Sequence, residues 1–286
     1  MWLDGLIYAL DLGRLLSHAD NNGWRMTRCP YCSDHGSHLG VNIESGAINC
    51  WRCGTHPFVK TLMLLSGKGK ADVLEAMKKY NNIRDPAFLK QKKPVKPLSF
   101  KYNKPLNRTD MRFLMDRGFD PDKLVEEWDL RGSDKLSDFK YRLIIPVYQQ
   151  NKIVAYQGRD VTGASRIRYR SSSPEKDGGE NIKNLLYGID KATKDLVIVV
   201  EGPADVWRLG AGAVCTFGIQ FTMAQVFALK RFSNRFIMFD SEELAQEAAS
   251  ELADELSMFP GRTEIIRIST YKDAGDMPDR EAHKLM

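Results

Sequence analysis

At 286 residues, with 43% hydrophobic and 28% charged residues, the chain is long enough to bury a sizeable core and has an ordinary globular composition. No apolar run approaches the eighteen residues a membrane span needs, and the N-terminal MWLDGLIYALDLGRLL carries acids where a signal peptide carries bases, so neither membrane insertion nor secretion is expected. The formal charge of +5 is modest, and the expected compartment is a reducing cytoplasm, where paired cysteines hold metal more often than they form disulfides.

The first informative stretch is CPYCSDHGSHLGVNIESGAINCWRC, residues 29–53, which holds four of the five cysteines. Cys29 and Cys32 make one C-x-x-C knuckle and Cys50 and Cys53 the other, with seventeen residues between. Each knuckle sets two thiolates on one side of a tight turn, and two knuckles close the all-sulfur tetrahedron of a structural Zn2+ site. His35, His38 and His56 lie nearby and are expected outside that shell, which four sulfurs already fill. Between the knuckles, short alternating runs around a glycine turn predict a small antiparallel ribbon with little core of its own, so zinc must supply much of its folding free energy. Ser45, Asn49, Trp51 and Arg52 are expected on or near its exposed face. Trp51 beside Arg52 suits stacking on single-stranded bases; packing of Trp51 on the following helix is the equal alternative.

PFVKTLMLLSGKGKADVLEAMKKY predicts two helices broken at Ser66–Gly69. Residues 83–105 mix Pro94, Pro97 and Pro105 with lysines and read as a semi-rigid basic linker between domains. From Lys60 to Lys104 twelve Lys/Arg face three acids. A solvated face is the bland explanation of such a run and polyanion binding the sharper one. Beyond the linker, Thr109 is expected to cap a helix through DMRFLMDRG, and DPDKLVEEWDL to form a second. YRLIIPVYQQNKIVAYQGRD predicts a hairpin turning at Gln150–Asn151. RIRYR, 166–170, is a second basic cluster, and 171–181, lacking large apolar residues, is expected as a surface loop.

From Asp195 onward, LVIVVEG, AVCTFG, RFIMFDSE and TEIIRIS alternate with helical segments, including a long one over 243–259. This pattern predicts an α/β fold with a parallel sheet; Cys215 reads as a small buried apolar residue. Chemistry gathers at the C-terminal ends of parallel strands. There the chain places Glu201, then Asp240 and Glu242, and Asp273 and Asp276 just past the last strand. Any one of these acids serves equally well as a helix cap. Five on one rim repel one another unless a cation sits among them, and oxygen ligands select Mg2+ or Mn2+.

VVEGPADVWRL, FDSE and KDAGDM resemble the three acidic motifs of a Toprim domain. With RGFDPDKLVEEWDL, YRLIIPVYQQNKIVAYQGRD, RYRSSS and NLLYGI before them, the order and spacing resemble the catalytic core of bacterial-type DNA primases. Cys29–Cys53 with the PFVKTLMLL helix resembles the zinc-binding domain that precedes that core. The resemblance covers most of residues 25–277. It implies a zinc-ribbon template-recognition domain (1–82), the linker (83–105), an N-terminal core subdomain (106–194), a Toprim catalytic subdomain (195–277) and a short tail (278–286). It further implies Glu201, as general base or metal ligand, Asp240, Glu242 and Asp273 as catalytic acids, with Asp276 as a further Mg2+ or Mn2+ ligand. Arg142, Arg159, Arg168, Tyr169 and Lys183 would line the template and nucleotide groove, aided by Trp51 and Arg52 of the ribbon. The family's D-x-D is Asp240-Ser241-Glu242 here, one methylene longer at its second acid.

The activity so implied is synthesis of short RNA primers from ribonucleoside triphosphates on single-stranded DNA. Small size and the all-cysteine site resemble a bacteriophage primase acting in a bacterial cytoplasm. No G-x-x-x-x-G-K-[ST] occurs, so helicase and DNA polymerase are expected as separate partners. Two other classes fit parts of the pattern: a non-catalytic zinc-finger/Toprim clamp of the recombination-mediator type, and a Toprim nuclease. The clamp lacks the RLIIP–GR and LLYG segments, and the nuclease gives the ribbon no role.

Overall fold

The computed structural model describes residues 2–32, 35–42, 46–80, 97–133, 136–192 and 195–285. Helix α1 (Trp2–Ala9) leads into an antiparallel ribbon of β1 (Trp24–Thr27), β2 (Leu39–Asn42), β3 (Ile48–Cys50) and β4 (Gly54–Thr55), in that spatial order. Strand β2 is buried along its whole length rather than on alternate residues. Leu39 and Val41 enter the core, while Gly40 lies beneath two indoles: a Cβ there would meet Trp51 at 2.5 Å and Trp24 at 2.7 Å. Helix α2 (Phe58–Ser66) stops at Gly67, whose φ of 66° suits glycine, and α3 (Lys70–Tyr80) follows. Ser45 and the lysines 90, 92, 93 and 96 lie outside the described residues.

The end of the segment expected as linker is folded onto the core. Phe100 and Tyr102 pack against Tyr156 with ring centroids 5.6 and 5.1 Å apart, and Ser99 N–H donates to Asp177 O at 2.7 Å. LSFKY alternates apolar and polar residues, a strand-like signal that the surrounding prolines and lysines masked. The same contacts order part of the 171–181 stretch expected as a plain surface loop.

Helix α4 (Arg108–Met115) is capped by Asn107, not by Thr109. Asn107 Oδ1 accepts from the Thr109 and Asp110 amides at 2.8 and 3.2 Å, and Asp110 returns a bond to the Asn107 amide at 3.0 Å. Three amide donors at the helix start are thereby satisfied. Helix α5 (Pro121–Trp128) starts from Asp120, whose carboxylate accepts the Asp122 and Lys123 amides. The hairpin pairs β5 (Arg142–Gln149) with β6 (Lys152–Asp160) through Gln150 and Asn151, both at positive φ (54° and 58°), as a tight right-twisting turn requires. Strand β7 (Tyr169–Ser171) completes this sheet.

The second half alternates β8 (Leu196–Val200), α6 (Pro203–Leu209), β9 (Ala213–Cys215), α7 (Met223–Leu229), β10 (Asn234–Ile237), α8 (Glu243–Leu256) and β11 (Arg262–Ile265), ending in α9 (Asp279–Ala282). The strands are all parallel, in the order β11-β10-β8-β9. The chain leaves β8 toward β9 and then returns to its other side as β10. A topological switch point therefore opens between the ends of β8 and β10, where open α/β sheets hold ligands. Among the described residues, no helix is long and apolar enough to cross a membrane.

The ribbon unit is seated on helix α8. One buried cluster runs from Leu39, Phe58 and Leu62 to Ala248, Leu252 and Leu256. At its edge Glu255, fully buried, accepts the Val59 amide of α2 at 2.8 Å, flanked by Lys60–Glu251 at 2.5 Å and a Lys70–Asp254 pair. Burial pushes the Glu255 carboxyl up to about 8. A carboxyl raised in the folded state stabilises it fully below the unfolded value, and that contribution is lost as pH rises through the folded one. Between about pH 4.5 and 8 the fold should therefore lose on the order of a few kcal/mol from this group. Glu255→Gln should flatten the fall, read as the difference between the pH profiles of wild type and variant in urea denaturation. Parallel profiles would remove Glu255 from this role.

Candidate functional site

The four cysteine sulfurs of the ribbon converge. Their Sγ atoms all lie within 4.8 Å of one another, with Cys29–Cys53 at 3.5 Å and Cys32–Cys50 at 3.9 Å. Zn–S bonds of about 2.3 Å in a tetrahedron require edges of roughly 3.8 Å, so the donor set fits zinc. At Cys50 burial is outweighed by backbone N–H groups of Arg52 and Cys53, which bring that thiol to about 7. Burial and the neighbouring thiols hold Cys32 and Cys53 up, as expected of crowded sulfurs unless a cation sits among them. Arg52 is exposed, and its amide contacts Cys50 Sγ at 3.4 Å. Trp51 is 56% exposed and meets Trp24 edge-on at 5.3 Å. It covers Gly40 and still leaves more than half of its surface open.

The acids meet at the switch point. Strands β8 and β10 are neighbours, so Glu201 and Asp240, just past their ends, share one rim; Glu201 Oε1 accepts the Asp240 amide at 2.9 Å. Asp273 caps a single turn by accepting the Asp276 amide at 2.9 Å. Glu201, Asp240, Asp273 and Asp276 line one cavity of about 470 Å3. Asp205, not anticipated from sequence, joins their loops: its carboxylate accepts the Gly202 and Gly275 amides, both at 2.9 Å. The E-x-x-x-D spacing, one helical turn beyond a strand end, was the available signal. Burial, then neighbouring carboxylates, raises Asp205 to about 7 and Asp240 to about 8, and raises Glu201 and Asp273 as well. Acids that resist ionising together, each offering oxygen, form a donor set suited to Mg2+ or Mn2+.

Glu242 does not line this cavity, though its charge is close enough to raise Glu201 and Asp240. Its exposed carboxylate pairs with Lys272 Nζ at 3.2 Å, and Lys272 lines the cavity in its stead. Two residues past Asp240 the chain has already turned to begin α8, which points Glu242 outward.

The opposite wall is basic and aromatic. Arg159 of β6 lies over the Tyr169 ring at 4.7 Å and near Phe113 at 5.6 Å, and its buried Nε has no protein partner. Arg168 and Arg117 complete this wall. Arg117 comes from the turn just past α4, where nothing in the local sequence marked it. Arg208 of α6 ties the two walls together, donating to Arg117 O at 3.0 Å on one side and Gly275 O at 3.2 Å on the other.

Arg142 and Lys183, expected in the groove, are not among the residues that line the cavity but adjoin ones that are: Arg142 holds Arg168, and Lys183 Nζ sits beside Phe217 and Gly218. Arg142 is buried, and its guanidinium donates to Arg168 O, Ile167 O and Ser165 Oγ at 3.1, 2.9 and 3.0 Å. It props the loop that carries Arg168. Lys183 Nζ donates to Phe217 O at 2.9 Å. An arginine at the first position of a buried strand turns inward with that strand's pleat, which a motif match does not reveal. Arg142→Ala should cost roughly 2–4 kcal/mol of stability by removing the donor to four acceptors, Gly158 O at 3.3 Å being the fourth. A variant that is as stable as wild type in urea yet inactive would return Arg142 to the groove.

An antiparallel four-thiol ribbon, a three-stranded antiparallel sheet and a parallel sheet with acids at its switch point together make a primase-core fold joined to a four-cysteine ribbon domain. Among solved structures the chain is similar to the zinc-binding and RNA polymerase domains of the Aquifex aeolicus primase, with TM-score 0.55 and 18% identity over 98% of this chain and 82% of that one. It is also similar to the DnaG catalytic core, with TM-score 0.51 and 16% identity over 63% and 70% of the two chains. The DnaG primase catalytic domain bound to single-stranded DNA matches with TM-score 0.51 and 16% identity over 64% and 70%. No family model and no curated protein matches the sequence.

Proposed function

We propose that the chain is a DNA primase that joins ribonucleotides on single-stranded DNA. The observation that carries this reading is the single cavity in which Glu201, Asp240 and Asp273 face Arg117, Arg159 and Arg168. Transfer of a nucleotidyl group needs both walls: cations to hold a triphosphate, and acids opposite to handle the attacking hydroxyl. Arg159, with an unpartnered Nε inside an aromatic sandwich, is preset to donate to a phosphate oxygen at little entropic cost. Asp205 fixes the Gly202 and Gly275 loops so that the acids keep their separation. Glu201, raised by burial, is the group suited to take the proton of the attacking 3′-hydroxyl. A divalent ion held by Asp240 and Asp273 would lower the hydroxyl pKa and neutralise the departing pyrophosphate.

The single-stranded DNA held by the DnaG catalytic domain, the open face of Trp51 and the basic stretch before residue 105 support a single-stranded template. Ribonucleoside triphosphates would be the second substrate. One labelled template separates the alternatives. Incubated with ribonucleoside triphosphates and Mg2+ or Mn2+, it should direct ribonucleotide incorporation. DNA retained but unchanged would favour the clamp, and shortened DNA the nuclease.

A further inference from the structure

His56 occupies a place that a four-sulfur site leaves unexplained. It follows β4, its amide donates to Ile48 O at 3.2 Å, and its ring lies face to face on Tyr31, centroids 3.8 Å apart and planes 6° from parallel. Tyr31 sits inside the first knuckle and is itself tied to Thr61 through its hydroxyl at 3.0 Å. Held in this way, Nε2 of His56 stands 3.1 Å from Cys53 Sγ and 4.0 Å from Cys29 Sγ. Those two sulfurs form one edge of the tetrahedron, so the imidazole is a fifth donor on the rim of a four-donor site.

The cysteine it faces is the odd one of the set. Cys53 is exposed, whereas Cys29 and Cys50 are buried. Without Cys53, the remaining donors read C-x2-C followed by C-x5-H, and Cys3His is a common structural zinc set with His spacings of this order. A Zn–N bond of about 2.0–2.1 Å is close enough to a Zn–S bond of about 2.3 Å for a modest swing of the ring to fill a vacated corner.

We infer that His56 is a reserve zinc ligand, an inference that rests on the zinc reading of the ribbon. With four thiolates present, its Nε2–H donates to the Cys53 sulfur. When that thiolate is lost, the neutral imidazole carries its proton on Nδ1 instead and offers the Nε2 lone pair at the open position. Removal of Cys53 separates a reserve ligand from a simple N–H···S donor.

The test uses the full chain with Cys53→Ala, His56→Ala, both together, and Cys50→Ala. Bound zinc per chain is measured, and visible spectra are taken after cobalt replacement. Cys53→Ala should keep near-stoichiometric zinc, and its cobalt form should show d–d bands at shorter wavelength with thiolate charge-transfer weaker by about one quarter, one sulfur in four being gone. His56→Ala alone should keep zinc. The double variant should bind it at least about tenfold more weakly than Cys53→Ala, and Cys50→Ala should lose it. If Cys53→Ala loses zinc as fully as Cys50→Ala, or keeps it with the same spectrum and affinity whether or not His56 is present, the reserve role is overturned. A wild-type chain without zinc would overturn the zinc reading itself.

Discussion

Glu201→Gln and Asp240→Asn are each expected to lower ribonucleotide incorporation on single-stranded DNA by roughly 10²-fold or more. Both substitutions keep the side-chain volume and the hydrogen bonds a neutral carboxyl could make, and remove only the charge that a divalent ion or a developing proton needs. The effect on folding should run the other way. Burial and its neighbours already press Asp240 up to about 8, so without a divalent ion it is costly to ionise near neutrality. Asp240→Asn should hold or raise stability in urea denaturation without added metal, with the gain growing as pH rises toward 8. Lost activity together with lost stability would instead mark these acids as structural. Glu242→Asp should behave differently: its carboxylate is exposed and paired with Lys272, so activity should persist within a few-fold.

Cys50→Ser carries the second large effect. Cys50 is buried, its sulfur accepts the Arg52 amide, and it lies 3.9 Å from Cys32. A serine oxygen in its place opens a site on which the ribbon's folding depends. Bound zinc should fall well below one per chain, and initiation on a template should fall to background. Extension of a pre-annealed primer should survive in part, because the acids and arginines lie in the other unit. The ribbon shares a buried cluster with α8, so some loss of global stability should accompany the loss of zinc. Equal losses in initiation and extension would show that the ribbon acts only as a buttress.

Local patterns made most elements legible. Gln150–Asn151 between two β-rich runs marked the hairpin, Gly67 the break between α2 and α3, and LVIVV an inner strand of a parallel sheet. The knuckle spacing fixed the thiol cluster, and strand-end acids located the rim because parallel strands present their C-terminal ends together. Features that depend on tertiary direction were not legible. Arg142 and Lys183 fell in matching motifs, but only the fold turns their cationic groups onto backbone carbonyls. Phe113 of α4 and Arg117 just past it reach the cavity from more than eighty residues before Glu201 in the chain. Residues 97–105 looked like linker because composition weighs prolines and lysines, whereas the rings of Phe100 and Tyr102 decide where the segment lies. Asp205 was within reach, one helical turn past a strand end that had already been singled out.

First-bond formation tests the central claim most directly. Wild type and Asp240→Asn are incubated side by side on varied single-stranded templates with labelled ribonucleoside triphosphates and Mg2+ or Mn2+, and dinucleotide is measured. A primase yields template-dependent dinucleotide with wild type and roughly 10²-fold less with the variant. Wild-type protein that binds these templates but forms no dinucleotide with either metal would contradict it.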